Sequence, residues 1–138
     1  MNSPVTVDAS VFVSAFTPTE PAYQESRSFM LGVREQSIPI IVPVLVLPEI
    51  SAALSRGQDK PELGLAFVQE LRNFPNTTFI DVDDGIATLA VEVAAKHRLR
   101  GSDAVYAAVA LRFGTELITL DKEQLVRLPK VLSVRKPQ

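Results

Sequence analysis

Short β-branched apolar runs alternate along the whole chain with longer segments of helical composition, and this alternation limits the fold more than any other feature. PVTVD (4–8), IPIIV (38–42), the run of Phe79, Ile80 and Val82, ELITL (116–120) and KVLSV (130–134) read as strands. Between them the pattern predicts a helix over about 20–35, with Phe29, Met30 and Val33 on its inner face. A second helix is predicted from Pro43, a favourable first residue, to Arg56 with a stop at Gly57. Pro48 interrupts that segment and calls for a kink or a start delayed to near residue 48. Asp59 followed by Glu62 resembles a capping box for a helix ending near Asn73. Asp83 or Asp84 would cap a helix with Ile86, Leu89, Ala90, Val93 and Ala94 on one side. Ser102 would cap the Ala-rich body 103–112. The expected fold class is therefore α/β, with a parallel sheet of about five strands covered on both faces.

Composition removes several classes of chemistry. Cysteine is absent, which excludes disulfides, thiolate zinc sites and cysteine nucleophiles. The single histidine, His97, cannot build a histidine-rich metal site. The longest apolar run, IPIIVPVLVLPEI, is broken by prolines and too short to span a bilayer. MNSPVTVD lacks a basic segment followed by an apolar stretch, so a cytoplasmic protein is expected. No repeat or linker divides residues 1–138, and a single domain is expected. The net charge of −2 hides a polarity along the chain. Residues 1–95 carry five Lys/Arg against twelve Asp/Glu, whereas residues 96–138 carry nine against four. A basic C-terminal third could supply phosphate contacts or meet an acidic partner.

Four acids sit where a strand or loop gives way to a helix, in apolar surroundings: Asp8 in TVDASVF, Glu49 in VLPEISAAL, Asp103 in RGSDAVYAA and Asp121 in LITLDKEQL. In a parallel α/β domain ligands bind at such junctions. Each acid also has an ordinary local role. Asp8 could cap a turn, Glu49 and Asp103 suit a first helical turn, and Asp121 suits an Asx turn. Brought together, the four would need protons or cations, and a hard divalent metal with oxygen ligands meets that need and suggests phosphodiester chemistry. Ser10 could orient Asp8. Asp81, Asp83, Asp84, Glu92 and Glu123 read better as caps or solvated acids. KHRLR (96–100) offers Lys96, Arg98 and Arg100 to steer a polyanion towards Asp103, or to complement a helix C-terminus. Tyr106 is expected to pack within its helix. Basic and aromatic residues are not interleaved, so no sequence-specific RNA-reading signature is present.

Taken together, VDASVFVSAF, PVLVLPEISAAL, LRGSDAVYAAVAL and TELITLDKEQL resemble the PIN-domain nucleases, in particular the small VapC-type toxins of toxin–antitoxin pairs. The resemblance implies a three-layer α/β/α PIN-like domain and a metal-dependent endoribonuclease. It implies Asp8, Glu49, Asp103 and Asp121 as the acidic centre for Mg²⁺ or Mn²⁺, with Ser10 and Thr119 in support. It further implies a structured RNA substrate such as transfer or ribosomal RNA, a homodimer, and a small antitoxin that occludes the pocket. Three rivals remain. One is a PIN nuclease of RNA processing or DNA repair without a toxin role, and another a catalytically inactive PIN fold. The third is a flavodoxin-like phosphoacceptor domain, in which Asp81 and Lys136 would take the acceptor and lysine roles but Asp8 lacks a paired acid.

Overall fold

Val5, Thr6 and Val7 are all buried, as a strand covered on both faces requires. They form β1 (Val5–Val7) in a computed structural model that describes residues 3–138, the side chain of Gln58 apart. The chain continues through α1 (Ala9–Phe16), α2 (Tyr23–Glu35), β2 (Ile40–Pro43), α3 (Val46–Gln58), α4 (Pro61–Arg72), β3 (Thr77–Ile80) and α5 (Asp84–His97). It ends with α6 (Gly101–Phe113), β4 (Glu116–Ile118), α7 (Lys122–Arg127) and β5 (Val134–Arg135). The strands lie in the order β3-β2-β1-β4-β5, and every pairing is parallel. Helix α6 lies on β1, β2 and β4 and carries α5, while α1 packs on α2 and α3, and α3 on α4. The result is a three-layer α/β/α arrangement with the sheet at its centre. No helix among the described residues is long and apolar enough to cross a membrane.

The strand order decides where a ligand can sit. The chain builds outward from β1 through β2 to β3, then returns to the other side of β1 with β4. Outside the carboxyl ends of β1 and β4 lies the topological switch point. The same order differs from the flavodoxin-like 2-1-3-4-5 and sets the phosphoacceptor reading aside. Asp81 follows the edge strand β3 and is exposed, as is Lys136.

Several local expectations are corrected. Residues 9–16, to which the sequence pattern assigns no element beyond a turn that Asp8 could cap, form α1, because Asp8 caps them and Val11, Phe12, Ser14 and Ala15 bury one face. Pro43 closes β2 instead of opening a helix. Helix α3 starts at Val46, which puts Pro48 in its first turn, where a missing N–H costs nothing. That helix passes Gly57 and ends with Asp59 in the left-handed conformation (φ 52°), so Asp59 is its C-cap and not part of a capping box. Lys60 precedes α4, and Pro61 occupies its first turn. Arg100, not Ser102, is the N-cap of α6 and makes no side-chain cap. Asp83 does cap α5, accepting from the Ile86 amide at 2.8 Å.

Helices α3 and α4 approach closely at Gly64, where a Cβ would lie 2.6 Å from the Ser51 carbonyl oxygen. Gly64→Ala gains about 1 kcal/mol of helix propensity but forces two backbones apart. A net loss of about 1–2 kcal/mol is expected in denaturant unfolding.

Candidate active site

All four acids at the strand–helix junctions line one cleft of about 590 Å³. Asp8 directly follows β1, and its backbone N–H donates to the Ile118 carbonyl at 2.9 Å. That bond extends the β1–β4 ladder and sets Asp8 against the segment leading to Asp121. Asp121 caps α7 by accepting from the Gln124 amide through Oδ2 at 2.9 Å. Asp103 lies in the first turn of α6 and is 6 % exposed. Glu49 enters from α3 on a stripe with Ala53 and Arg56, which also line the cleft.

A set of neutral partners positions these carboxylates. The Tyr106 hydroxyl donates to Glu49 Oε1 at 2.6 Å, joining α6 to α3. Burial first, then the charges of Asp8 and Glu49, push the Tyr106 hydroxyl far above its ordinary pKa, so it remains a donor. The Ser10 amide donates to Asp8 Oδ2 at 3.0 Å, while the Ser10 hydroxyl accepts from the Leu120 amide at 3.1 Å. Thr119, fully buried, accepts from the Asp121 amide at 3.0 Å and donates to Gln124 Oε1 at 2.5 Å. Gln124 in turn donates through Nε2 to the Asp103 carbonyl at 3.2 Å. This buried amide therefore links the two segments that carry Asp103 and Asp121.

Tyr106 and Gln124 are missing from the expected site. Tyr106 stands three residues after Asp103, a helical spacing that puts both on one face, and that signal was available. Nothing in LDKEQL distinguishes Gln124 from a solvated residue. Two acids also line the cleft beyond the expected four, Glu20 and Glu123. Glu123, expected to be solvated, is half-buried at the cleft and pairs with Arg127 at 3.6 Å. Asp81, Asp83 and Asp84 are exposed and do not line it. Of the basic run, Arg100 reaches the cleft, whereas Lys96 and Arg98 are exposed outside it.

The acids feel one another. Burial raises the Asp8 carboxyl above its ordinary pKa, the Ser10 hydroxyl and amide oppose this, and Glu49 and Asp121 add to it. Burial likewise raises Asp103, with Asp121 and Asp8 reinforcing the shift and Arg100 opposing it. Among the described residues no three acids are drawn together tightly enough to form a ready coordination shell. The donor chemistry nevertheless fits a hard divalent ion, since the cleft offers carboxylate oxygens and no imidazole or thiol. Such an ion would offset a repulsion already felt at Asp8 and Asp103.

A family model described as PIN domain matches residues 5–131. No curated protein matches the chain in sequence. Among solved structures, VapC20 of Mycobacterium tuberculosis, described as a sarcin–ricin loop cleaving toxin, is similar at 17 % identity. It superposes with a TM-score of 0.73 over 88 % of this chain and 93 % of its own. VapBC2 from Rickettsia felis, bound to a promoter DNA fragment, gives a TM-score of 0.70 at 16 % identity over 96 % and 98 %. A toxin–antitoxin complex from Klebsiella pneumoniae gives 0.67 at 16 % identity over 97 % and 98 %. At these identities the likeness is one of fold.

The raised carboxyls fix the sign of a pH effect. Groups whose folded pKa exceeds the unfolded value stabilise the fold below the unfolded pKa, and that stability is lost as pH rises through the folded value. For Asp8 and Asp103 the unfolded reference is near 3.8, so their contribution to the stability of the metal-free protein falls as pH rises above it. Thermal melts in chelator between about pH 4 and pH 8 should show this fall. Asp8→Asn should flatten it and raise the neutral-pH midpoint by a few degrees.

Proposed function

The chain belongs to the PIN-domain family, and from that premise we propose that it is a Mg²⁺- or Mn²⁺-dependent endoribonuclease acting as the toxin of a toxin–antitoxin pair. One observation carries the reading: Asp8, Glu49, Asp103 and Asp121, distant in sequence, share one cleft at the switch point of a parallel sheet. Support comes also from the fold likeness to an RNA-cleaving toxin and to antitoxin-bound relatives.

In this reading the four acids hold the ion, which when bound would lower the pKa of a water and offset charge on the scissile phosphodiester. Tyr106 fixes the rotamer of Glu49, and Ser10 orients Asp8. Thr119 and Gln124 hold Asp121 and Asp103 in register, so the carboxylates need little rearrangement on binding. Arg100, with Arg56 and Lys122 on the same cleft, supplies positive charge for the backbone of a transfer or ribosomal RNA. Lys96 and Arg98 extend that charge outside it. Residues 1–138 act as one domain, as a homodimer, in the cytoplasm.

The antitoxin occludes the acidic cleft and is assigned also to a second, apolar cleft of about 430 Å³ bordered by Phe16, Leu31, Phe67 and Phe74, with Arg27 and Arg34 beside them. Phe16 and Leu31 are 45 % and 48 % exposed, so this face buries apolar surface only when a partner covers it. Growth arrest on induction, relieved by a small co-encoded protein, separates a toxin from a processing or repair nuclease.

Purified protein incubated with total RNA should produce new ends that depend on Mn²⁺. Asp8→Asn should lower their rate of appearance by roughly 10³-fold. Cleavage by that variant at the wild-type rate would sink the assignment.

A further inference from the structure

The guanidinium of Arg100 spans two of the four acids. Its Nε lies 3.1 Å from Asp103 Oδ2, and its Nη2 lies 3.4 Å from Asp121 Oδ1. We propose that Arg100 is an internal counter-ion of the metal-free protein, which yields the Asp103–Asp121 pair to a divalent ion and passes to a phosphate of the RNA. This rests on the nuclease reading and adds to it a role for a residue outside the acidic centre.

Three observations carry the proposal. The first is which oxygens are engaged. Asp121 Oδ2 is committed to the Gln124 amide that caps α7, which leaves Oδ1 as the oxygen facing a cation. Oδ1 is the atom Arg100 contacts. An ion bound through Asp121 Oδ1 and the guanidinium thus compete for that atom, while at Asp103 they share one carboxylate.

The second is the asymmetry of exposure. The Arg100 side chain is 71 % exposed, against 9 % for Asp103 and 20 % for Asp121. The acids are held in place by buried partners, whereas the arginine reaches them from solvent. A solvent-exposed ion pair of this kind contributes little net stability, so giving it up is inexpensive. The acids cannot follow, because the Thr119–Gln124–Asp103 chain holds their segments.

The third is the anchor. Arg100 is the N-cap of α6, with extended backbone between buried Leu99 and the first helical turn. Its Cα is therefore fixed while its long side chain is free to turn. Released from the carboxylates, the planar fork is suited to bidentate phosphate contact beside the cleft. Arg56 lines the same cleft without this geometry, since its Nε donates to the Ala52 carbonyl in its own helix. It serves as an internal comparison for charge alone.

The test is calorimetric titration of Mn²⁺ into the metal-free full chain as wild type, Arg100→Gln and Arg56→Gln. Arg100→Gln should bind Mn²⁺ about five- to tenfold more tightly, with Arg56→Gln within about twofold of wild type. A second measurement follows a labelled single-stranded oligoribonucleotide with Ca²⁺ in place of Mg²⁺. There Arg100→Gln should weaken binding and reduce the slope of log affinity against log salt by about one. Unchanged or weaker Mn²⁺ binding in Arg100→Gln overturns the proposal. So does equal tightening in Arg56→Gln, which would reduce the effect to net charge, and so does an unchanged salt slope. Failure of all three proteins to take up Mn²⁺ overturns the nuclease reading itself, and this proposal with it.

Discussion

The parallel ladder between β1 and β4 is the contact on which the acidic cleft depends. Val5, Thr6 and Val7 pair with Glu116, Leu117 and Ile118, and the register continues past the strands through the bond from the Asp8 amide to the Ile118 carbonyl. A slip of one residue would turn Asp8 away from the crevice and a hydrophobic residue into it. Thr6 secures the register from within the sheet. Its buried hydroxyl donates to the Ile41 carbonyl at 2.8 Å and meets the Thr115 hydroxyl at 2.6 Å, so the central strand is stitched to both neighbours. Two hydroxyls buried within the sheet would be costly alone. Paired with each other, they are satisfied and specify one alignment.

Around that ladder the molecule tolerates an unfavourable concentration of negative charge. Asp8 and Asp103 are almost wholly removed from water, and each senses other carboxylates across the cleft. Hydrogen-bond donors meet part of the cost. The Ser10 amide serves Asp8, the Tyr106 hydroxyl serves Glu49, and the Gln124 amide serves Asp121. What remains is electrostatic, and the Arg100 guanidinium, which bridges Asp103 and Asp121, offsets part of it. Such sites trade stability for readiness, since a cleft fully neutralised from within would have nothing to offer a cation.

Four strands were legible as short apolar runs, and Asp8 and Asp121 as carboxylates at the ends of two of them, whereas KVLSV (130–134) forms a turn and bend up to Ser133 and leaves β5 only Val134 and Arg135. The parallel α/β class followed from alternation alone. Helix α1 was not legible, because ASVFVSAF has the composition of a strand and becomes helical only through the cap at Asp8 and packing on α2 and α3. Helix boundaries moved where a single residue had two possible uses. Asp59 reads as an N-cap by type but serves as a left-handed C-cap, and Gly57 reads as a stop but stays inside α3. At the cleft, local sequence gave the four acids and Ser10. It could not give Gln124, whose bonds reach Asp103 twenty-one residues away, nor the pairing of Arg100 with Asp121 across the same span.

Helix α7 has six residues, too few to persist in water on its own helical tendency. What keeps it in place is the Asp121 cap at one end, the buried Gln124 side chain bonded to Thr119 and to the Asp103 carbonyl, and, near the other end, the Arg127 guanidinium donating to the carbonyl of Arg98, a left-handed residue that closes α5. The wall of the cleft that bears Asp121 is thus fastened at two points to the junction of α5 and α6. Loss of either tie would loosen this wall locally while the sheet stayed intact.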